Sequence, residues 1–117
     1  MARNFMLSAV LVLFLVTLAS AWPFKEEVLD SANVWEFRNE NGKIANIKLL
    51  PGGRIGNYDH PNEHTWAWEG GNLVFKNVNG KVSCKFVNTW LDGKNKWRAD
   101  GLFLLHKLNG WRHYLIQ

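Results

Sequence analysis

The side chains best suited to chemistry are concentrated in one polar stretch near the middle of the chain. It combines two imidazoles, two carboxylates, two amides and three aromatic rings within twelve residues: Asn57, Tyr58, Asp59, His60, Asn62, Glu63, His64, Trp66 and Trp68. Imidazoles and carboxylates can transfer protons or coordinate a metal, whereas amides beside aromatic rings can hold a sugar or another flat ligand. The residue types in this stretch are therefore compatible with a metal site, a catalytic site or a ligand site.

A metal site is not favoured. His60 and His64 are four residues apart, which is a metal-ligand spacing on a helix. Pro61 lies between them and the flanking residues alternate as strands do, so a helix is not expected. The favoured role of this loop is structural, because Asp59 and Asn62 can hydrogen-bond nearby backbone. We expect no bound metal and no other cofactor.

Catalysis also has little support in the sequence. Acid–base hydrolysis of a glycosidic bond needs two converging carboxyl groups, and Asp59 with Glu63 is the only dense pair. Ser31 and Ser83 lie outside any nucleophile-elbow pattern. No catalytic residue is therefore predicted, and a small hydrolase using Asp59 and Glu63 is kept only as a second alternative.

The sequence is rich in tryptophan: Trp22, Trp35, Trp66, Trp68, Trp90, Trp97 and Trp111. Large rings fill small cores well, and we expect Trp35, one of the Trp66 and Trp68 pair, and Trp111 to be core. Rings at strand ends can stack on a flat ligand, with polar neighbours orienting it. The predicted ligand-binding residues are Asn57, Tyr58, Asn62, Glu63, His64, Trp66, Trp68, Trp90 and Trp97.

The first 21 residues have the pattern of a secretory signal peptide. Arg3 gives a basic start, residues 6–18 are almost uninterruptedly apolar, and Ala19-Ser20-Ala21 fits the cleavage pattern. The apolar run is shorter than the roughly 20 residues of a spanning helix, so cleavage before Trp22 is favoured over an uncleaved anchor. We expect a secreted, extracellular protein, or a periplasmic one in a bacterium, with no membrane span after cleavage.

The remaining 96 residues suit one domain, with a lead-in segment over 22–32 and a β domain over 33–117. Loss of Arg3 lowers the net charge from +4 to +3, and no run of five basic residues is present. A nucleic-acid partner is therefore not expected, and the oligomeric state stays open. Cys84 is the only cysteine. A buried free thiol is favoured over an intermolecular disulfide.

From Asn33 onward, apolar and polar residues alternate in short runs separated by turn signals. The predicted strands cover 34–38, 43–50, 54–58, 65–69, 72–76, 81–91, 96–105 and 111–116. About eight strands predict an all-β antiparallel meander that curls into a small up-and-down barrel, with a two-sheet sandwich as the alternative. Such a barrel has an interior that side chains nearly fill, or room for one small ligand.

One pattern, F-[RK]-N-x-N-G-K-[IV], occurs twice, at 37–44 and 75–82. Asn-Gly accommodates the positive φ angles of tight turns, so each copy predicts a strand, a turn and a returning strand. Two interpretations are open: a duplicated hairpin unit, or two independent uses of one favourable turn.

Several short motifs carry a resemblance to a known module. They are Leu49-Leu50-Pro51-x-Gly53-x-Ile55-x-x-Tyr58, Asn62-Glu63-x-x-Trp66 and Leu73-x-Phe75, followed by Gly80 and Phe86. Over residues 35–86 the chain resembles a small β-module found beside bacterial glycosyltransferases. The resemblance implies a binding or accessory role and a polar Asn62-Glu63 site near Trp66. The strand pattern is also similar to lipocalin and avidin barrels, although the Gly-x-Trp motif that opens lipocalins is absent.

These observations rank two main hypotheses. The first is a secreted binding module for a carbohydrate or a small hydrophobic or aromatic ligand. The alternative is a secreted structural or protein-interaction domain that has no small-molecule pocket and pairs through a sheet edge.

Overall fold

The computed structural model describes residues 22–105 and 110–117. These residues form a short helix and eight antiparallel strands: α1 (Trp22–Leu29), β1 (Trp35–Asn39), β2 (Gly42–Leu49), β3 (Ile55–Gly56), β4 (Thr65–Glu69), β5 (Asn72–Lys76), β6 (Val82–Leu91), β7 (Trp97–Phe103) and β8 (Arg112–Ile116). A 3₁₀ turn, Pro51–Gly53, joins β2 to β3. The predicted all-β class is confirmed.

The strands lie close to the ranges that the alternation predicts, and β4 and β5 match at both ends. The clearest difference is β3, where the pattern predicts a strand over 54–58 but the strand comprises only Ile55–Gly56. Asn57 adopts a φ of 63°, which lies in the left-handed region and ends the strand. The predicted signal peptide (1–21) and Asn109 of the last predicted turn lie outside the described residues.

The strands form one sheet in the order β3-β2-β1-β8-β7-β6-β5-β4. β8 fits between the first strand and the seventh, so that Leu115 lies opposite both Phe37 and Ala99. The sheet thereby curls until its edge strands, β3 and β4, face each other. A bridge between Arg54 and Thr65 joins them. The result is one nearly closed barrel and not a two-sheet sandwich, with a seam between β3 and β4.

The barrel interior is a packed core. Its fully buried side chains include Trp35, Phe37, Ile47, Leu49, Leu73, Phe75, Phe86 and Leu115. The Phe75 ring meets Phe37 and Phe86 edge to face, with centroids 5.4 and 5.1 Å apart, an arrangement that stabilises aromatic pairs. The expected barrel interior was either nearly filled by side chains or open to one small ligand, and the observed interior is filled by side chains.

Helix α1 covers one end of the barrel. Phe24 and Val28 lie one helical turn apart and are both buried, as expected for the inward face of a helix. The Phe24 ring lies 5.9 Å from Trp35, 6.3 Å from Trp68 and 5.6 Å from Trp97, centroid to centroid. Phe24 and Val28 of α1 are therefore part of the core.

Hydrogen bonds fasten α1 to the end of β8. Glu27 Oε2 accepts from Asn33 Nδ2 at 2.8 Å and from Gln117 Nε2 at 2.7 Å. Both ends of the described chain thus meet at the helix-covered end of the barrel. Across the described part of the chain, no helix is long and apolar enough to cross a membrane.

Both copies of the repeated pattern form a turn closed by the first Asn side chain, but the turns differ in length: Asn39 pairs with Gly42, whereas the Asn77 N–H donates to the Lys81 carbonyl. Asn39 Oδ1 accepts the Asn41 backbone N–H at 2.8 Å, and Asn77 Oδ1 accepts that of Asn79 at 3.0 Å. In each copy, the strand-pairing register shifts directly after the buried phenylalanine, and the turn follows this shift. This geometry follows from the side-chain chemistry of Asn at the first turn position, and both interpretations of the repeat account for it.

Candidate functional site

The structure divides the predicted site residues between the two ends of the barrel. Asn57, Tyr58, Asn62, Glu63 and His64 lie in the seam loop, residues 57–64, which runs from β3 to β4. Trp68 and Trp97 lie at the opposite end, beside α1. These predicted ligand-binding residues therefore form two separate groups of side chains and not one site.

Glu63 is the most deeply placed acid of the seam loop, with 4% of its surface exposed. Its Oε2 atom lies 3.1 Å from His60 Nδ1 but has no well-aligned hydrogen bond within the described residues. Burial raises the pKa of Glu63, and the neighbouring His60 and Tyr58 offset only part of that rise. The Glu63 carboxyl group therefore holds its proton to a higher pH than an exposed glutamate does.

His60 joins Glu63 to the backbone of the seam loop. Its Nδ1 atom accepts the Asn62 backbone N–H at 3.0 Å and lies 3.1 Å from Glu63 Oε2. The charge and hydrogen bonding of His60 lower the pKa of Glu63, but burial outweighs this effect.

Tyr58 and Cys84 complete the buried surroundings of Glu63. The Tyr58 ring is stacked on His60, with centroids 5.9 Å apart and planes 7° apart. Burial, and then the charge of Glu63, raises the pKa of Tyr58 and also that of the Cys84 thiol. Cys84 is a free, fully buried cysteine, as predicted. The Tyr58 hydroxyl and the Cys84 thiol therefore keep their protons at neutral pH.

The remaining seam-loop residues do not converge on Glu63 as a catalytic pair would. Asp59, Asn57 and His64 are exposed, and Asn62 is half-buried. Asp59 and Glu63 thus occupy different environments, which gives no support to a hydrolase that uses them as a pair. Among the residues that the structure describes, no three His, Cys, Asp or Glu side chains are grouped to hold a metal.

His113 is a buried titratable residue that the sequence places only by its alternation with Leu115. Its ring lies between Phe37 and Phe103, with centroids 5.3 and 5.2 Å away, and burial lowers its pKa. His113 therefore stays neutral in the folded protein. Its charging destabilises the fold as the pH falls below its ordinary pKa of 6.5.

The wild-type protein is expected to lose stability as the pH rises, and Glu63→Gln is expected to abolish this loss. Because burial raises the folded-state pKa of Glu63 above its ordinary value of 4.5, the stabilisation is complete below pH 4.5. It is lost as the pH rises through the folded-state pKa. The slope for one proton is at most about 1.4 kcal/mol per pH unit. Urea unfolding of both proteins from pH 4 to pH 8 measures the difference.

Glu26→Gln is the matched control, because Glu26 is exposed on α1 and its loss leaves the slope unchanged. His113 is present in all three proteins, so its opposite pH dependence cancels in the comparison. Equal pH slopes for wild type and Glu63→Gln would show that the carboxyl group ionises as easily in the folded protein as in the unfolded chain.

The second group of predicted residues surrounds a cleft of about 340 Å³, which we call the helix-end cleft. It is lined by Phe24, Lys25, Trp68, Gly71, Asn72, Leu73, Phe86, Val87 and Thr89. The cleft forms because β5 pairs with β6 only as far as Leu73 opposite Phe86, whereas β6 continues to Leu91. The continuing strand, the β4–β5 turn and α1 enclose the gap.

Trp68 is the central aromatic side chain of the helix-end cleft. It is half-buried, and its ring meets Phe24 and Trp66 edge to face, at 6.3 and 6.4 Å. The Lys25 ammonium lies 5.4 Å from the ring centre, within cation–π range. The Trp68 Nε1 group has no hydrogen-bond acceptor among the described residues. The ring is thus fixed by its apolar edges while part of it stays accessible.

The other tryptophans have different roles. Trp66 is 8% exposed, and its Nε1 donates to the Leu50 carbonyl at 2.8 Å, so it is a core residue. Trp97 is half-buried beside Phe24. Trp90 is exposed on β6, and Trp111, for which we predict a core position, is only half-buried. Trp68 and Trp90 are therefore the better placed of the predicted stacking rings.

Sequence reasoning missed the polar residues of the helix-end cleft. Lys25, Asn72 and Thr89 come from α1, β5 and β6, which are far apart in the chain. Thr89 lies in a run of exposed β6 residues, and no local pattern links it to α1. Only the early end of β5 and the position of the helix bring these side chains together.

No protein-family model, curated protein or solved structure gives a significant match to this chain.

Proposed function

We propose that this protein is an extracellular binding module that holds a carbohydrate in the helix-end cleft. The observation that carries the proposal is the position of Trp68, a half-buried ring in a cleft whose lining also includes Lys25, Asn72 and Thr89. An aromatic ring beside a few polar groups is the usual composition of a small-ligand site.

The mixture of lining groups favours a carbohydrate over a wholly apolar ligand. A sugar ring has an apolar C–H face and a polar hydroxyl edge. Trp68 and Phe24 offer apolar surface, whereas Asn72 and Thr89 offer hydrogen-bond donors and acceptors. Lys25 is exposed, so a stacked ligand can displace its ammonium group or accept a hydrogen bond from it. A purely apolar ligand would leave these polar groups without partners.

The free edge of β6 strengthens the polar side of the cleft. From Asn88 to Leu91 this strand pairs with β7 on one side, and its pairing with β5 stops at Phe86. Backbone N–H and C=O groups on the unpaired side therefore need partners. Hydroxyl groups can both donate to and accept from such a strand edge.

The size of the cleft and the sequence pattern support the same proposal. A volume of about 340 Å³ is near the lower end of small-molecule sites, which span roughly 300–1,000 Å³. The site therefore suits a short saccharide unit. The signal-peptide pattern at residues 1–21 supports an extracellular location, and the resemblance to a module beside bacterial glycosyltransferases supports a carbohydrate.

Trp68→Ala is expected to weaken glycan binding by about tenfold or more, because it removes the stacking surface. An aromatic contact contributes about 0.5–1.5 kcal/mol beyond its burial, and 1.4 kcal/mol corresponds to a factor of ten. A glycan array identifies the bound sugar, and titration with that sugar, followed by tryptophan fluorescence, compares the variants.

Two further variants make this test specific. Trp90→Ala removes an exposed tryptophan outside the helix-end cleft and leaves the affinity for a neutral sugar unchanged. Thr89→Arg places a long side chain in the cleft without removing a core ring, so it blocks binding even if Trp68→Ala lowers stability. Circular dichroism verifies that each variant is folded.

Two results would overturn the proposal. One is the absence of binding to any sugar. The other is binding that survives both Trp68→Ala and Thr89→Arg. The exposed apolar residues along the free β6 edge, Val87, Trp90 and Leu91, would then favour the protein-interaction alternative.

A further inference from the structure

The outer face of four adjacent strands carries a second concentration of arginine and aromatic side chains. Cross-strand pairing arranges them in two rows: Asn88, Asp100, Tyr114 and Arg38, then Trp90, Arg98, Ile116 and Glu36. They alternate with the buried residues Phe37, Ala99 and Leu115, so their side chains face away from the core. We call these eight residues the outer-face patch.

Two guanidinium groups at this face have no ion-pair partner among the residues that the structure describes. Arg38 pairs with Glu36 at a long distance, 3.4 Å. Within the described residues, neither Arg98 nor Arg112 has a carboxylate oxygen within 4.0 Å. A guanidinium group binds a planar oxyanion through two parallel hydrogen bonds, and this capacity is unused at both positions.

Arg98 is the best positioned of these arginines. Its guanidinium carbon lies 6.0 Å from the centre of the Trp90 ring, which restrains the side chain. Its Nε atom is buried and has no hydrogen-bond partner among the described residues. A ligand cannot reach this atom, so the Nη atoms are the groups of Arg98 that can donate to a bound oxyanion.

The space beside Arg98 can hold a ligand. A surface depression of about 610 Å³ is lined by Arg38, Asn39, Glu40, Arg98, Tyr114 and Ile116. Apart from Ile116, these side chains have polar ends. Two guanidinium groups therefore lie beside an amide, a carboxylate and a phenol, which together offer both donors and acceptors.

The charge balance of this face argues against a long polyanion. Among the eight residues of the outer-face patch, the two arginines Arg38 and Arg98 are matched by two carboxylates, Glu36 and Asp100. A nucleic acid or another polyanion is bound chiefly by an excess of positive charge. The patch lacks that excess, so it can recognise one anionic group only through short-range geometry.

We infer that the outer-face patch, together with the adjoining Asn39 and Glu40, binds an acidic sugar, that is, a sugar ring bearing one carboxylate. Arg98 and Arg38 bind the carboxylate. Glu40 and Asn39 hydrogen-bond the ring hydroxyls, and Tyr114 contributes its ring and hydroxyl. This site is separate from the helix-end cleft and does not depend on what the cleft binds.

The test is a titration of the ¹⁵N-labelled protein with glucuronate, followed by two-dimensional amide NMR. Glucose is the matched neutral sugar and inorganic phosphate the anion without a sugar ring. We expect glucuronate to shift the backbone amides of Arg38, Arg98 and Tyr114, with weaker effects from glucose and from phosphate.

Charge-preserving variants separate bidentate binding from simple attraction. Arg98→Lys keeps the charge but loses the planar pair of donors, and we expect it to weaken glucuronate binding by about tenfold. Arg54→Lys is the control, because Arg54 is exposed at the seam between β3 and β4. It leaves the affinity unchanged, as does Trp68→Ala in the helix-end cleft.

Three results would overturn the inference: no amide shifts at the patch, equal affinity for phosphate and glucuronate, or full affinity in Arg98→Lys. Loss of glycan binding at the helix-end cleft would leave these measurements unaffected. Failure of the cleft proposal and failure of this one are therefore distinguishable.

Discussion

Replacement of Phe37 by alanine is expected to lower the free energy of unfolding by about 3–5 kcal/mol, the range for removing a buried phenylalanine. Phe37 is fully buried, and its ring contacts Tyr58, Phe75 and His113 at centroid distances of 5.8, 5.4 and 5.3 Å. One side chain thus links the seam loop to two parts of the core. Since small domains have total stabilities of about 5–15 kcal/mol, this loss approaches complete unfolding.

Urea unfolding followed by circular dichroism measures the effect. Phe75→Ala, at the matching position of the repeated pattern, is expected to cost a similar amount because Phe75 is also fully buried. Val78→Ala is the control: its side chain is 55% exposed, and such surface changes stay within about 0.5 kcal/mol. A loss below about 1 kcal/mol for Phe37→Ala would mean that the interior is not a packed core.

Gly101→Val is expected to destabilise the barrel by more than the about 1–3 kcal/mol typical of overpacking. A Cβ atom at Gly101 would lie 2.7 Å from the Lys85 carbonyl oxygen and 2.9 Å from Phe86 Cδ1. The first contact is with backbone, which cannot move without disturbing the β6–β7 pairing. The helix-end cleft and the outer-face patch both use residues of this pair, so ligand binding is expected to fall as well.

Gly93→Val provides the comparison for this prediction. Gly93 lies in the turn between β6 and β7, and a Cβ atom there would meet no atom within 4 Å. We expect its thermal midpoint to stay near that of wild type, whereas Gly101→Val unfolds at a clearly lower temperature. Equal midpoints for the two variants would show that β6 and β7 are farther apart than the structure indicates.

The position of Gly101 also shows where a local pattern is informative and where it is not. An isolated glycine in a strand predicts a bulge at that residue. The register shift instead lies on the opposite strand, between Phe86 and Asn88. Gly101 is needed because the β6 backbone approaches it closely, and close approach of another strand is not visible in the sequence around a glycine.

In the seam loop, too, the sequence shows which residues are neighbours, but only the fold decides which of them are buried. The sequence identifies Tyr58, His60 and Glu63 as neighbours with chemical potential, because they are close along the chain. It does not show that Glu63 is buried while Asp59 is exposed, a difference in environment that argues against a pair of converging catalytic carboxylates. Burial depends on the fold around the loop, and so does the raised pKa of Glu63.

The sequence by itself determined the local features of this protein. Alternation of apolar and polar residues specifies most strands, and Asn39 and Asn77 specify two of the turns, because these features depend on neighbouring residues alone. The tertiary structure decided which distant residues share a surface. Lys25 meets Trp68 and Thr89 only because α1 covers the barrel end, and Arg38 meets Arg98 only because β8 pairs with both β1 and β7. Such contacts depend on strand order and register, which no short segment of sequence encodes.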